Sequence, residues 1–550
     1  MKAPAVVLVA ALLIDAAALG AHVQPAQSHR RLLADPAEWS EPGGTYEPAG
    51  GAGSWESGSS TGIIMIHANL MKDGTVVGWS GRNQGLQEYG SVVYDPVNRT
   101  ATQLLDRCGI HDCKNAFCAG HTVTAMSEVL VFGGHAQQLQ WFRSYTHVNR
   151  TVKSTLMSSG RWYPGVATLP DGKVVAIGGV LDSGEAGYHA EDTPHYDNPS
   201  YEVYDPATGE WSGDQYDMEE QLTKAFPIHT YPHAVVLPDG GLAVSAGKLL
   251  VKYDRSGPLS FTKAYSYGSR PGPPWSYPQT GVGVPLPMLP PYDKVHFLAA
   301  GGSSKDRARV GTPASAKAHV VELTAGAEAT WQEIGSMPHK RVMGDGVILC
   351  DGTIGILNGA ADGIGGWVDK PQEVKFKDGS TWQCEEKCSK AAKPVYEPTL
   401  FDPETGKWSA MGSLSEAERP RLYHSVAVLM PDCTVLTAGS DVTWDQTAEI
   451  WRPPYLNKGE QLQIPYTSTD PIARSILIRN GAVTHSMSFD TRALWLTVSS
   501  DTNGTLSLAM PPNSNVVPPG LYMLVILTDK GVPSPAKILS VLPENGTLAE

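Results

Sequence analysis

Charge is scarce in this 550-residue chain: Asp, Glu, Lys and Arg together make up 18% of it. The 42 basic residues are outnumbered by 56 acidic ones, giving a net charge of −14, and no continuous basic stripe occurs. Nucleic-acid phosphates need clustered Lys and Arg, so a nucleic-acid partner is excluded. Long apolar runs are also missing after the first twenty residues. None approaches the ~20 residues of a membrane span, so no membrane partner is expected. Long charged runs are absent too, which excludes a helical bundle. What is abundant instead is turn former, with 57 glycines and 42 prolines. Many short strands joined by loops fit that composition.

The N-terminus has a short basic start, an apolar stretch from Ala5 to Leu19 and small residues at Ala18–Ala21. This is the pattern of a secretory signal, expected to end at residue 21. Residues 22–44, with Pro25, Pro36 and Pro42, read as a flexible segment. Four Asn-x-Thr sequons, at Asn98, Asn149, Asn503 and Asn545, agree with export to an extracellular space, cell wall or matrix. Seven cysteines suit an oxidising compartment. Cys108 and Cys113 could close one small loop, and Cys384 and Cys388 another. Cys350 and Cys433 either pair or stay free, and Cys118 is left over.

One pattern recurs seven times. It consists of an apolar strand, an Asp-Gly or similar turn, a second apolar strand, then glycine. Thr168-Leu169-Pro170-Asp171-Gly172 followed by Ile177-Gly178-Gly179 is typical. Asp-Gly is a favoured two-residue hairpin turn. The closing glycines permit close backbone approach. The repeat spacing of about 45–80 residues lies near the roughly 50 of kelch repeats. The expectation is an all-β chain: a seven-bladed, kelch-like β-propeller over residues 45–455. The glycine step then stops, and the short strands of residues 456–550 suit an immunoglobulin-like sandwich.

Three lead-ins to inner strands carry reactive side chains: Phe117-Cys118-Ala119-Gly120, Arg161-Trp162-Tyr163 and Arg421-Leu422-Tyr423-His424-Ser425. All three should lie near the propeller axis on one face. His485, in the C-terminal part, could reach the same point on a loop. Two imidazoles and two phenols make a mixed nitrogen–oxygen set that suits Cu(II). A thioether between the Cys118 sulfur and the Tyr163 ring would give an easily oxidised phenol. Copper and one ring radical together accept the two electrons of an alcohol or aldehyde oxidation. The competing reading is a secreted kelch-type binding protein without catalysis, in which the tyrosines pack and Cys118 is a buried thiol.

These pieces, with Tyr231-Pro232, Arg341-Val342-Met343-Gly344-Asp345, Gly365-Gly366-Trp367, Pro453-Pro454-Tyr455-Leu456 and Thr484-His485-Ser486, give the chain its resemblance to the glyoxal oxidase branch of the galactose oxidase family of copper radical oxidases. The resemblance covers nearly all of the chain beyond the leader. It implies one copper per chain, held by Tyr163, Tyr423, His424 and His485. Cys118 and Tyr163 would form the thioether-linked radical cofactor, and Tyr423 would be the base. It further implies small aldehydes such as glyoxal or methylglyoxal as substrates, or primary alcohols in a related enzyme, with O2 reduced to H2O2. The chain is expected to be a monomer. One departure stands out. Galactose oxidase stacks a Trp on its thioether from a position where this sequence has Leu181.

Overall fold

The structure is a computed structural model that describes residues 39, 42–81, 90–104, 116–135, 138–146, 151–181, 197–368, 370–454, 471–502, 505–511 and 513–543. The expected leader, most of the segment 22–44, Cys108, Cys113 and the sequons at Asn149, Asn503 and Asn545 lie outside the described residues. Asn98 lies within them, exposed at a hairpin tip between Ser91–Asp95 and Thr100–Gln103.

The chain is all-β. Among the described residues the one α-helix is Glu219–Ala225. Among the described residues, five sheets of the N-terminal part have four strands in up-and-down order, one further sheet has five and another has six. Their first strands are His67–Leu70, Gly120–Val123, Gly165–Thr168, His233–Val236, Gly281–Pro285, Asp345–Ile348 and Val426–Leu429. The seventh sheet takes its outer strand from the other end of the chain, where Ser54–Ser60 pairs antiparallel with Thr447–Arg452. First strands of neighbouring sheets contact one another, the first and second through His121 and Asn69 and the fourth and fifth through His233 and Gly283, and that of the seventh sheet meets that of the first. The arrangement is that of a β-propeller-like domain.

The glycine step has a steric cause. Where a second strand ends, the backbone passes the lead-in to a first strand. A Cβ on Gly133 would lie 2.0 Å from the Arg161 carbonyl oxygen, and one on Gly301 would lie 2.6 Å from that of Arg341. Buried arginines seal these crossings. Arg161 donates to the carbonyls of Gly178 and Ser200 and pairs with Glu202. Arg421 donates to the carbonyl of Gly439 and pairs with Glu449.

The Asp-Gly turns differ from the expected two-residue form. Met71 and Thr75 are bridged by a backbone hydrogen bond, and the Gly74 N–H also bonds to the Met71 carbonyl. The loop is therefore three residues long, and only its last residue is left-handed, with φ 85° at Gly74. This is a type I turn closed by a left-handed residue, which asks nothing unusual of the Asp. That Asp instead caps the loop, Asp73 Oδ1 accepting the Thr75 N–H at 3.0 Å. In the seventh sheet Cys433 takes the glycine's place, with φ 64°. It is disulfide-bonded to Cys350 of the neighbouring turn, which closes the alternative left open by the sequence. Cys384 and Cys388 are also paired, and Cys118 is free and buried.

Beyond the propeller-like part, the described residues 471–543 include a five-stranded antiparallel sheet. Its partner layer is the turn-bearing face of the propeller. Ile476, Trp495, Met523 and Val525 join Leu349, Cys350, Met430 and Cys433 in one apolar cluster. A hairpin, Ala482–Thr484 and Met487–Phe489, leaves this sheet and runs along the axis. Its first strand extends the first sheet and touches the first strands of sheets two and seven. Its second strand touches those of sheets three to six. The axis is thus filled by a finger whose tip is His485-Ser486.

Asp345 opens the first strand of the sixth sheet with its carboxyl fully buried. Oδ2 accepts from Asn358 Nδ2 at 2.7 Å, while Oδ1 has no hydrogen-bond partner. Burial pushes this carboxyl up to about 7. The folded chain therefore keeps a proton that the unfolded chain releases at about pH 4. The Asp345 contribution to stability is fully present below about pH 4 and is lost as pH rises through about 7. Asp345→Asn should remove that slope, gaining on the wild type as pH rises. Denaturant midpoints of both proteins measured between pH 4 and 8 check this, and parallel curves would refute it.

Candidate metal centre

The site is built on one repeated position, two residues ahead of a first strand. Cys118, Tyr163, Tyr231, Met343 and His424 all occupy it, with φ of 61°, 62°, 49°, 58° and 66°. None is glycine, and left-handed backbone costs an L-residue roughly 1–2 kcal/mol. Such strain in bulky residues collects where function demands an orientation. The lead-ins are also tied to each other, with Tyr163 N–H bonded to the Cys118 carbonyl at 3.0 Å and Tyr231 N–H to that of Tyr163 at 2.7 Å. The hairpin finger adds two further left-handed residues, His485 at 48° and Ser486 at 65°. Thr484 pairs with Met487 across them, so here the two-residue turn with both φ positive does occur.

The structure brings the five expected residues to one point. Cys118 Sγ lies 3.5 Å from His485 Nε2. The sulfur and one ring nitrogen each of His424 and His485 lie within 4.8 Å of one another. The His485 ring stands 5.5 Å from that of Tyr163, 5.6 Å from Tyr423 and 4.7 Å from His424, centroid to centroid. The Tyr423 and His424 rings stack at 3.7 Å. Each of the five is at most 3% exposed.

Both imidazoles are aimed from behind. His424 Nδ1 bonds to Asp441 Oδ1 at 2.7 Å, and Asp441 Oδ2 accepts from the Trp367 indole. His485 Nδ1 bonds to Thr484 Oγ1 at 2.6 Å. The Nε2 of His424 is left buried without a hydrogen-bond partner. Burial holds both histidines well below their ordinary pKa, with His424 adding to the effect on His485. They are neutral rings with a lone pair to offer. An orphaned buried Nε2 beside a second imidazole, two phenols and a thiol fits a copper ion, which takes such mixed donors. Burial pushes the Cys118 thiol up, although Tyr163 and Trp162 lie within hydrogen-bond reach of it.

Sequence reasoning missed Tyr277. Its hydroxyl donates to Tyr163 Oη at 3.2 Å and lies 2.5 Å from Tyr423 Oη, bridging the two phenols. The signal was present: Tyr163-Pro164, Tyr231-Pro232 and Tyr277-Pro278 are three Tyr-Pro pairs, each just ahead of a first strand. Asp441 was missed too, because nothing in its spacing marks it as the partner of His424. Leu181, where galactose oxidase has its stacking Trp, is 41% exposed. The Tyr163 ring is covered instead by Trp162, the residue before it, at 4.4 Å and 24°. Trp367 stands edge-on to Tyr423 and His424 and stacks on Phe117.

Comparison with known proteins agrees with this architecture. The family model described as Glyoxal oxidase N-terminus matches residues 89–449, and that of the galactose oxidase-like early set domain matches residues 447–541. The chain is 25% identical to an aldehyde oxidase GLOX of Vitis pseudoreticulata, over 89% of this chain and 97% of that protein. It is 24% identical to a galactose oxidase of Gibberella zeae, over 90% of this chain and 71% of that protein. A solved fungal alcohol oxidase in complex with copper superposes with a TM-score of 0.65 at 19% identity, covering 89% of this chain and all of that one.

Proposed function

This chain belongs to the glyoxal oxidase branch of the galactose oxidase family of copper radical oxidases, and from that premise we propose that it is a secreted oxidase of small aldehydes such as glyoxal and methylglyoxal. Its seven sheets are read as the seven blades of a propeller over residues 45–455, with an immunoglobulin-like domain over 456–550. The observation that carries the reading is the meeting of Cys118, Tyr163, Tyr423, His424 and His485 in one buried cluster.

His424 Nε2, His485 Nε2 and the hydroxyls of Tyr163 and Tyr423 would hold the copper. Bound there, copper beside an oxidised Tyr163 ring, thioether-linked to Cys118, supplies two one-electron acceptors. The other tasks belong to the protein. Tyr423 Oη takes the proton of the substrate hydroxyl, and Tyr277 Oη, 2.5 Å away, provides a route for it to leave. Trp162 shields the Tyr163 ring, and Phe117 with Trp367 forms an aromatic wall beside His424. An aldehyde reacts as its hydrate: RCH(OH)2 and O2 give RCOOH and H2O2.

Primary alcohols are the second reading, because the hydrate of an aldehyde and an alcohol present the same C–H and O–H pair. Copper-dependent peroxide release with glyoxal, methylglyoxal, benzyl alcohol and galactose tests the assignment. The aldehydes should give the highest kcat/KM. Faster turnover of benzyl alcohol would reassign the substrate, and a folded protein that takes up no copper would instead be a kelch-type binding protein.

A further inference from the structure

The finger that carries His485 is fixed at its base by one carboxylate. Asp490 follows the second strand of the hairpin directly and is itself left-handed, with φ 62°. Its Oδ1 accepts the Thr168 N–H at 2.7 Å. Its Oδ2 accepts the hydroxyls of Thr168 at 2.6 Å and Thr122 at 2.5 Å, and the Arg479 guanidinium at 3.1 Å. Arg479 also donates to the Thr168 hydroxyl at 2.9 Å. The four donor groups belong to three residues. Thr122 ends its approach in the second sheet, on the strand led in by Cys118. Thr168 ends the first strand of the third sheet, led in by Tyr163. Arg479 ends a strand of the C-terminal sheet.

The register is matched. Cys118 stands four residues before Thr122, Tyr163 five before Thr168, and His485 five before Asp490. Three chains therefore run side by side for about 13–17 Å, at roughly 3.3 Å per residue, from one clamp to one site. We propose that Asp490 is a positioning residue that helps set how far His485 reaches along the axis, and hence its distance from Cys118 and Tyr163; this rests on the copper-oxidase reading given above. The outgoing arm of the finger is set separately, by backbone pairing of Thr484 with His67 and of Val483 with Ala68, so Asp490 acts on the returning arm and shares with that ladder the setting of the depth. Further contacts hold the base. Asn480 Nδ2 donates to the Leu429 carbonyl at 2.6 Å, and Arg492 donates to the carbonyls of Val236 and Val516. Removing the charge of Asp490 should therefore loosen the tip without unfolding the chain.

The test uses the full-length protein, Asp490→Asn and the milder Thr122→Val, which removes one of the four bonds. Asp490→Asn should bind Cu(II) ~10-fold more weakly or worse, as loss of an orienting partner does. It should also alter the Cu(II) electron paramagnetic resonance spectrum and speed amide hydrogen exchange across residues 482–489. Thr122→Val should fall between it and the wild type. If Asp490→Asn lowers the melting temperature but leaves the copper affinity, the spectrum and the local exchange unchanged, the carboxylate is merely structural and the inference fails. If the wild type binds no copper, the copper reading fails separately, and exchange at 482–489 alone decides the clamp: no change in Asp490→Asn overturns it.

Discussion

Cys118→Ser and Tyr163→Phe should each abolish a loss of two hydrogen atoms that the copper-treated, oxygen-exposed wild type shows by intact mass. The thioether would form as the S–H of Cys118 and one ring C–H of Tyr163 give up their hydrogens and a C–S bond replaces them, with O2 as oxidant reduced to H2O2. Geometry makes this pair the expected site. Cys118 is the one free cysteine among the described residues, is fully buried, and lies within hydrogen-bond reach of the Tyr163 hydroxyl. Both variants should also lose turnover by roughly a thousandfold, about 4 kcal/mol in the barrier, because an unlinked or absent phenol no longer gives up an electron readily. Neither substitution should cost the fold more than about 1–2 kcal/mol. Serine replaces a thiol that packs as a small apolar group, and phenylalanine keeps the ring between Trp162, Tyr231 and Tyr277 while losing one hydroxyl. An unchanged mass in the wild type, or a mass loss that persists in Cys118→Ser, would refute the cross-link.

The parts of this molecule that were legible in its sequence are those that repeat. The glycine steps mark the sheets, and several are forced by a close backbone crossing, as at Gly133, Gly301 and Gly439. The lead-ins before the first strands place Cys118, Tyr163 and His424, with Tyr423 beside it, on one face, because the first three stand at the same offset from a strand of the same kind. For His485 the sequence offered only that a loop of the C-terminal part could reach the axis, since nothing local says that a hairpin threads it; the family resemblance singled it out as a ligand. What stayed hidden is what depends on side-chain direction. Asp441 is 17 residues from His424, across a sheet, and its role follows from a 2.7 Å contact. Tyr277 sits four residues ahead of its strand rather than two, so the offset rule passes it over. Trp162 shows the converse. With Leu181 in place of the stacking Trp, the sequence left open what covers the ring, and the left-handed turn at Tyr163 folds the preceding indole onto it.

Asp441 also supports the largest expected change in metal affinity. A ligand imidazole needs one nitrogen protonated and held and the other bare. Asp441 Oδ1 supplies the hold on His424 Nδ1, which leaves Nε2 facing the site. Asp441 Oδ2 accepts the Trp367 indole N–H at the same time. A carboxylate can serve two N–H donors, one on each oxygen, whereas an amide cannot, because one of its two positions is itself a donor. Asp441→Asn therefore either turns its NH2 toward Trp367 and pushes the indole off, or turns it toward His424 and pushes the imidazole toward the other tautomer. Cu(II) affinity should fall ~10–100-fold, which is about 1.4–2.8 kcal/mol. Chelator competition reads the affinity directly. Thermal unfolding gives an independent reading, because ligand that binds only the folded chain stabilises it by RT ln(1 + [L]/Kd). At a fixed excess of copper, the gain in stability on adding metal should shrink in Asp441→Asn by the same 1.4–2.8 kcal/mol or so. Trp367→Phe, which removes the competing donor, should restore part of the affinity in the double variant. If Asp441→Asn binds copper as tightly as the wild type, the carboxylate does not orient His424, and the hold on Nδ1 is incidental to the metal.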